Sequence, residues 1–380
     1  MPMYNFQVFK IKRNTVRKPS QMKSTMKHPK LSTIQLDELP IEVLLNVLNF
    51  LELPDINRFG QVSKRLKSAS LVDSLWQEII LINKTMSNNL VEKTLDRGCK
   101  TLCLKSCRLT AESGEEAANL HSIFDKLLLG NQIKDSEMKS SFQMINLNLY
   151  QCEFTNEFLE TLLSSIHSLK TFSLTDHNIS LFSYDILQVF YHQNGQTLKT
   201  LNLAFTTIIN RKHIELIVKN CTGLKEVDFS HCYLSYESIH LLINGITKSI
   251  EKFGLSHCSS SGDAADGFVK MLVSRCNKIK SLNLSWNSIT DNSLTSIVKN
   301  LKNSLEELDI GRCYNITDAK LLEMSLMPRL KILNYFMPHN SNYEDLKKNL
   351  PQLTNNNPKE KWPERVIKLF DGPELEHYIQ

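Results

Sequence analysis

Nine cysteines and eleven histidines are the residues best able to do chemistry in this 380-residue chain, and their spacing decides what kind. Cys99, Cys103 and Cys107 recur at every fourth position, which invites a metal site. No companion Cys/His pair stands at zinc spacing, however, and a strand here would turn Cys103 away from Leu102 and Leu104. There is no Gly-x-Ser-x-Gly, no His-Glu-x-x-His and no phosphate loop. Only 12 glycines are present to build a cofactor cradle. The expectation is a chain without catalytic residues, metal or cofactor.

The cysteines fall instead into a repeat. An apolar-x-x-apolar-x-apolar pattern recurs at Cys99/Leu102/Leu104, Met144/Leu147/Leu149, Leu169/Phe172/Leu174, Leu198/Leu201/Leu203 and Leu224/Val227/Phe229. It continues at Ile250/Phe253/Leu255, Ile279/Leu282/Leu284, Leu305/Leu308/Ile310 and Leu330/Leu333/Tyr335. From Met144 the intervals are 25, 29, 26, 26, 29, 26 and 25 residues, while the first is 45, so an insertion is expected near 114–141. This is the period of leucine-rich repeats, each a short parallel strand followed by a helix. Helices read directly at Ile214–Val218, Ile239–Ile243 and Leu294–Leu301. The predicted fold is therefore an α/β solenoid of about nine repeats over 83–338, a horseshoe with a parallel concave sheet roughly 40 Å long at about 4.8 Å per strand.

Three residues past the last apolar position stand Cys107, Cys152, His177, Thr206, Cys232, Cys258, Asn287, Cys313 and Pro338. Asn or Cys in that column satisfies backbone groups at the turn leaving the strand, so five cysteines are structural. Cys221 and Cys276 precede strands as small buried residues. The residue before that column is larger: Phe205, His231, His257, Trp286, Arg312 and Met337. Aromatic and guanidinium groups are over-represented at binding hot spots, and a His/Arg row could accept a phosphate or an acidic side chain. These six are the candidate substrate-binding residues, the alternative being a solvated ridge that packs against itself or the chain's own tail. Ser259-Ser260-Ser261-Gly262-Asp263 reads as a repeat loop, or else as a phosphorylation site.

Bulk properties narrow the setting. The chain is 41% hydrophobic and 22% charged, the balance of a soluble folded protein. No apolar run approaches the roughly 18–20 residues of a membrane span, and the amino terminus lacks the apolar core of a secretory signal. The cysteines are accordingly expected as thiols. Residues 1–35 carry eight Lys or Arg and no acid, leaving the remainder at −3. A disordered basic tail and a nuclear-import signal around Lys10–Lys18 both fit. Past residue 35 nothing resembles a nucleic-acid surface. From Asn340 the repeat is lost, and 339–380 is expected to cap the solenoid or run back over its concave face.

Between tail and repeats lies a helical module. Pro40 suits a first helical turn, with Asp37 and Glu38 favourable near its positive end. Ile41, Leu44, Leu45 and Leu48 then fall at i, i+3, i+4 and i+7, and Val43, Val47 and Leu51 add a second apolar face. A helix apolar on two sides is buried on two sides. A short helix from Leu53 to near Gly60 follows, then a third marked by Val62, Leu66 and Ala69 and a fourth marked by Leu71, Leu75, Trp76 and Ile79. Some 45 residues cannot bury this much apolar surface internally. One face can pack on the repeats and the other on a partner's helices.

Leu39-Pro40, Glu42, Leu44-Leu45, Leu51, Leu53-Pro54-Asp55, Val62-Ser63-Lys64-Arg65 and Leu75-Trp76 resemble the F-box motif, with Ser63 and Leu66 where that family usually has Cys and Trp. With the repeats, the chain is similar to the F-box/leucine-rich-repeat family. Local matches at Gly311-Arg312-Cys313-Tyr314, Leu321-Leu322-Glu323, Leu350-Pro351-Gln352-Leu353 and Trp362 point to a branch acting on cell-cycle inhibitors. The resemblance implies an all-α F-box at 36–82 that binds the adaptor of an SCF ubiquitin ligase, and through it cullin. Adaptor contacts are expected from Leu39, Pro40, Ile41, Leu44, Leu45, Leu48, Leu51, Leu53, Pro54, Val62 and Trp76. It further implies a protein substrate, phosphorylated or not, a small kinase-subunit accessory, and residence in nucleus and cytoplasm. A non-ligase repeat scaffold or inhibitor, with the F-box serving only as a cap, is the other reading.

Overall fold

The computed structural model describes residues 36–51, 53–88, 91, 95, 98–110, 144–175, 184–206, 209–258 and 262–336. The basic tail 1–35, the expected insertion at 114–141, the serine run 259–261, Met337 and the segment 339–380 lie outside the described residues.

The described residues open with a 3₁₀ turn at Leu36–Glu38 and three helices, α1 (Ile41–Leu48), α2 (Leu53–Gly60) and α3 (Lys64–Ser70), then a second 3₁₀ turn at Asp73–Trp76. β1 (Glu78–Ile82) and β2 (Thr85–Ser87) follow, then β3 (Thr101–Lys105), β4 (Arg108–Thr110) and β5 (Asn146–Tyr150). From there helix and strand alternate: α4 (Asn156–Ser165), β6 (Thr171–Thr175), α5 (Tyr184–Asn194), β7 (Thr200–Asn202), α6 (Arg211–Asn220) and β8 (Glu226–Asp228). Next come α7 (Tyr236–Gly245), β9 (Lys252–Gly254), α8 (Gly262–Arg275), β10 (Ser281–Asn283), α9 (Asp291–Leu301), β11 (Glu307–Gly311), α10 (Asp318–Leu322) and β12 (Ile332–Phe336).

Ten strands form one sheet in the order β1-β3-β5-β6-β7-β8-β9-β10-β11-β12, while β2 and β4 pair separately. Every pairing is parallel, as a strand–helix repeat of this period requires. The register aligns the repeat columns: Leu102, Leu147, Phe172, Leu201, Val227, Phe253, Leu282, Leu308 and Leu333 stand side by side across the sheet. All nine are buried and belong to one continuous core with the helices' inner faces. Truncating any of them to Ala costs about 2–5 kcal/mol.

The turns repeat as regularly. Thr155, Asn210, Ser235, Thr290 and Thr317 each accept a hydrogen bond from a backbone N–H of the helix they precede, so polar residues start each of these helices. Successive repeats are tied by Asp266, which accepts from the Thr290 N–H at 2.9 Å, and by Asp291, which does the same for Thr317 at 2.9 Å. Among the described residues the Asn/Cys column meets its expectation, and His177 and Pro338 lie outside them. Cys152, Cys232, Cys258 and Cys313 donate to the carbonyls of Leu104, Leu203, Phe229 and Leu284 at 3.0–3.2 Å, each in the preceding repeat. Thr206 reaches the Leu174 carbonyl at 3.0 Å and Asn287 the Leu255 carbonyl at 2.8 Å. Cys221 and Cys276 are buried at helix-to-strand turns. Burial pushes the Cys221, Cys258 and Cys313 thiols up to about 12.

Two expectations are corrected. Ile79 is not in a fourth helix: after Trp76 the isoleucine-rich strand Glu78–Ile82 pairs with Thr101–Lys105 and makes a tenth strand inside the span expected to be all-α. Val62 precedes α3 rather than joining it, because Ser63 accepts from the Leu66 N–H and caps the helix there.

Candidate functional site

Two surfaces collect the residues singled out by sequence. On the helical module the two apolar faces of α1 separate. Leu44 and Leu48 are fully buried in the core that also holds Leu66, Trp76 and Ile79. Trp76 donates its indole N–H to the Ser70 carbonyl at 3.1 Å, which locks the end of α3 onto the 3₁₀ turn. Leu44, Leu48 and Trp76 therefore hold the module together and present no surface to a partner, a correction to the expected contact set. Leu39, Leu45 and Leu51 are partly buried against the core. Pro40 is exposed. The outward apolar face of α1 consists of Val43 (41% exposed) and Val47 (39%), continued by Phe50 (71%), while Ile41 (39%) is the exposed end of the inward stripe and Val62 (72%) is exposed just before α3. The sequence showed Val43 and Val47 as a second apolar face, but the expected contacts included Ile41 and Val62 and omitted Val43, Val47 and Phe50. Leu53 and Pro54 lie in α2.

The second surface is built at the ends of strands. Phe205, His231, His257, Trp286 and Arg312 occupy one repeat position, and each has positive φ, between 52° and 61°. Left-handed backbone costs an L-residue roughly 1–2 kcal/mol, so glycine or asparagine would be the ordinary choice. Inter-strand hydrogen bonds hold the conformation: the amides of Phe205, His231, His257 and Trp286 donate to the carbonyls of Ser230, Ser256, Ser285 and Gly311 at 2.8–3.0 Å. Bulky side chains at such positions indicate a role beyond the turn.

Those side chains form a continuous ladder. Phe205 stacks on His231 with ring centroids 4.2 Å apart, and His231 meets His257 at 4.9 Å. His257 lies 5.9 Å from Trp286, and the Arg312 guanidinium sits 4.4 Å over the Trp286 ring. Aromatic pairs contribute about 0.5–1.5 kcal/mol each and the cation–π contact about 0.5–2 kcal/mol, enough to keep the row preorganised. Five of the six candidate substrate-binding residues are thus brought together.

Two imidazoles stand at the centre of the ladder and a guanidinium at one end. His231 and His257 approach through their Nδ1 atoms at 3.1 Å, a contact in which one nitrogen donates and the other accepts, so at least one ring is neutral. Burial, and then the neighbouring His257, push His231 down to about 4. At neutral pH His231 is therefore uncharged, and Arg312 is a permanent cation at the end of the row. Sequence reasoning missed Tyr233, 66% exposed, whose ring meets His257 edge-on at 5.6 Å. Tyr314, 54% exposed, holds the equivalent position in a later repeat. Both follow the Asn/Cys column directly, a signal available in the repeat alignment.

The strand centres beneath the ladder also carry a pattern. Asn202, Asp228, Asn283 and Asp309 share one register position. Each accepts the backbone N–H two residues on, from Ala204, Ser230, Ser285 and Gly311, at 2.8–3.1 Å. Asp228 is fully buried and desolvation raises it to about 6, against the opposing hydrogen bonds from Ser230. Among the described residues no three His, Cys, Asp or Glu side chains converge as a metal site, and no helix is long and apolar enough to cross a membrane.

A helical module with an unsatisfied apolar face, continuous with a parallel strand–helix solenoid, defines the class as an F-box on leucine-rich repeats. Residues 36–82 match the family described as F-box-like, and residues 130–359 match the family described as SKP2 LRR domain. The chain belongs to this F-box/leucine-rich-repeat family. Similar solved structures include the Rad7 and Elc1 complex in yeast, with TM-score 0.40 and 15% identity over 79% of this chain and 90% of that one. The tropomodulin C-terminal domain from Caenorhabditis elegans matches with TM-score 0.30 and 11% identity over 39% of this chain and 93% of that one.

Proposed function

We propose that the protein is the substrate-recognition subunit of an SCF-type ubiquitin ligase and does no bond-making itself. The observation that carries this reading is the exposed apolar face of Val43, Val47 and Phe50, with Ile41 and Val62 also exposed, on a module whose opposite face is already buried. Charged or polar residues would be expected there on a module that only capped the solenoid. The face fits the helices of the ligase adaptor, which links the chain to cullin. The ladder from Phe205 to Arg312 then holds a protein client, raising its effective concentration near the ubiquitin-charged subunit. A cell-cycle inhibitor, phosphorylated or not, is the client the branch resemblance favours, and nucleus and cytoplasm are where it would be met. The scaffold reading has one observation in its favour: Leu44, Leu48 and Ile79 make the module a true cap of the core. It leaves the outer face without a purpose.

Affinity capture from cell extract separates the two surfaces. Val47→Asp/Phe50→Asp is expected to lose adaptor and cullin while keeping clients. Trp286→Ala/Arg312→Ala is expected to keep adaptor and lose clients. Equal adaptor recovery by wild type and the first variant would refute the ligase reading.

A further inference from the structure

Charge is segregated along the solenoid in a way the ladder does not use. Among the described residues, the seven turns from β6 onward that lead from a helix into a strand, at 166–170, 195–199, 221–225, 246–251, 276–280, 302–306 and 327–331, hold nine Lys or Arg and two Glu. The residues immediately before the strands are Lys170, Lys199, Lys225, Glu251, Lys280, Glu306 and Lys331. They are direct neighbours, since each amide from Lys199 onward donates to the carbonyl of the one before at 2.7–2.8 Å. Side chains on adjacent strands at one register position stand about 4.8 Å apart.

The later part of this row alternates in sign and satisfies itself. Glu251 lies between Lys225 at 3.2 Å and Lys280 at 2.6 Å, and Glu306 pairs with Lys331 at 2.6 Å. Both carboxyls are held below their ordinary range by these lysines. The earlier part breaks the alternation. Lys170, Lys199 and Lys225 follow one another on three consecutive strands with no acid among them, although like charges side by side destabilise a sheet. Lys170 and Lys199 are exposed and make no ion pair among the described residues. The nearest acid on the next column, Glu226, is engaged by Lys252 at 3.3 Å and by Thr200 at 3.4 Å.

We propose that Lys170 and Lys199, with Lys225 beside them on the next strand and already held by Glu251, form a docking site for a carboxylate-rich protein segment, which supplies the acids Lys170 and Lys199 lack. Glu251 shows the geometry such a carboxylate would adopt, bridging lysines of the strands on either side. The occupant is a protein acid rather than a nucleic acid because the cations are lysines and the strand-leading turns around them carry no Arg, Phe, Tyr or Trp. Bidentate arginines and stacking rings are what phosphate backbones and bases call for. The site lies on the edge where strands begin, whereas the ladder lies where they end, so the two can be occupied together.

The test uses the full chain, a fluorescent oligo-glutamate peptide and a short DNA duplex, titrated at low and physiological salt. Wild type is expected to bind the peptide more tightly than the duplex, with affinity falling as salt rises. Lys199→Glu is expected to weaken peptide binding by about tenfold or more, the loss expected when a favourable contact of about 1.4 kcal/mol is removed. It also restores the Lys–Glu–Lys alternation, so its Tm should rise rather than fall. Lys170→Glu gives an independent reversal with the same expectation, and Lys302→Glu, on the same edge but outside the row, should leave binding unchanged. Wild-type indifference to the peptide, tighter binding of the duplex, unchanged binding in both reversals, or a lowered Tm in them would each overturn the proposal.

Discussion

Asp228→Asn should make the protein more stable at neutral pH, although it deletes a charge from a buried, hydrogen-bonded carboxylate. Asp228 is 1% exposed, and its Oδ1 accepts the Ser230 N–H at 2.8 Å. Asn202 and Asn283 make the same contact at 3.0 and 3.1 Å in their own repeats, so an amide fits the position. Desolvation raises Asp228 from 3.8 to about 6, because ionisation in this site is unfavourable. A folded pKa above the unfolded one contributes stability below about pH 4, and that contribution is lost as pH rises through about 6. Two pH units of displacement correspond to about 3 kcal/mol at most, at 1.36 kcal/mol per unit. Part of this is offset because the new amide must find an acceptor, for which the Ser230 hydroxyl is placed. A net gain of about 1–3 kcal/mol at pH 8 is expected, vanishing near pH 4. Thermal unfolding followed by circular dichroism at pH 8, 6 and 4 reads it directly. A variant no more stable at pH 8, or a difference that does not shrink on acidification, would refute the reasoning.

Asn287 and Cys258 hold equivalent column positions but carry different loads. Asn287 makes contacts of 2.8 and 3.0 Å to the Leu255 and Leu284 carbonyls and one of 3.1 Å to the Cys258 N–H. Asn287→Ala strands the Leu255 carbonyl and the Cys258 N–H, while the Leu284 carbonyl keeps the Cys313 thiol, and should cost about 2–4 kcal/mol by urea unfolding, against about 1 kcal/mol for Cys258→Ala. His231 predicts an acid-sensitive ladder. Its folded pKa near 4 lies below the ordinary 6.5, so its contribution is intact above about 6.5 and is lost as pH falls toward 4. With the ring only half-buried the loss should be on the order of 1–2 kcal/mol. Trp286 emission should change between pH 6.5 and 4.5, and a flat profile in wild type, or the same profile in His231→Phe, would contradict it.

The repeat was legible because its period of 25–29 residues places Leu, Val and Phe at positions that must share one layer. The ladder was legible for the same reason: once columns are aligned, Phe205, His231, His257, Trp286 and Arg312 fall in line. What periodicity could not show was their left-handed backbone, since propensity would place glycine or asparagine there. The two apolar stripes of α1 were visible, but not which one faces inward. That is decided by distant residues, Leu66, Trp76 and Ile79, which complete the core around Leu44 and Leu48. Ile79 was misread because a short apolar run after a helical pattern fits either state, and only the partner strand at Thr101–Lys105 selects the strand. The broken charge alternation at Lys170, Lys199 and Lys225 was present in the aligned columns too. It becomes informative only when Glu251 and Glu306 are seen paired with their neighbours.

The central claim is that the outer face of the helical module binds the ligase adaptor. Calorimetric titration of purified adaptor into the purified chain tests it most directly. A saturable one-to-one complex is expected, with a negative heat-capacity change from apolar burial. Val47→Asp/Phe50→Asp should abolish the complex without lowering Tm, because both side chains lie outside the core. Absence of binding by the wild type, or undiminished affinity in the double variant, would contradict the account.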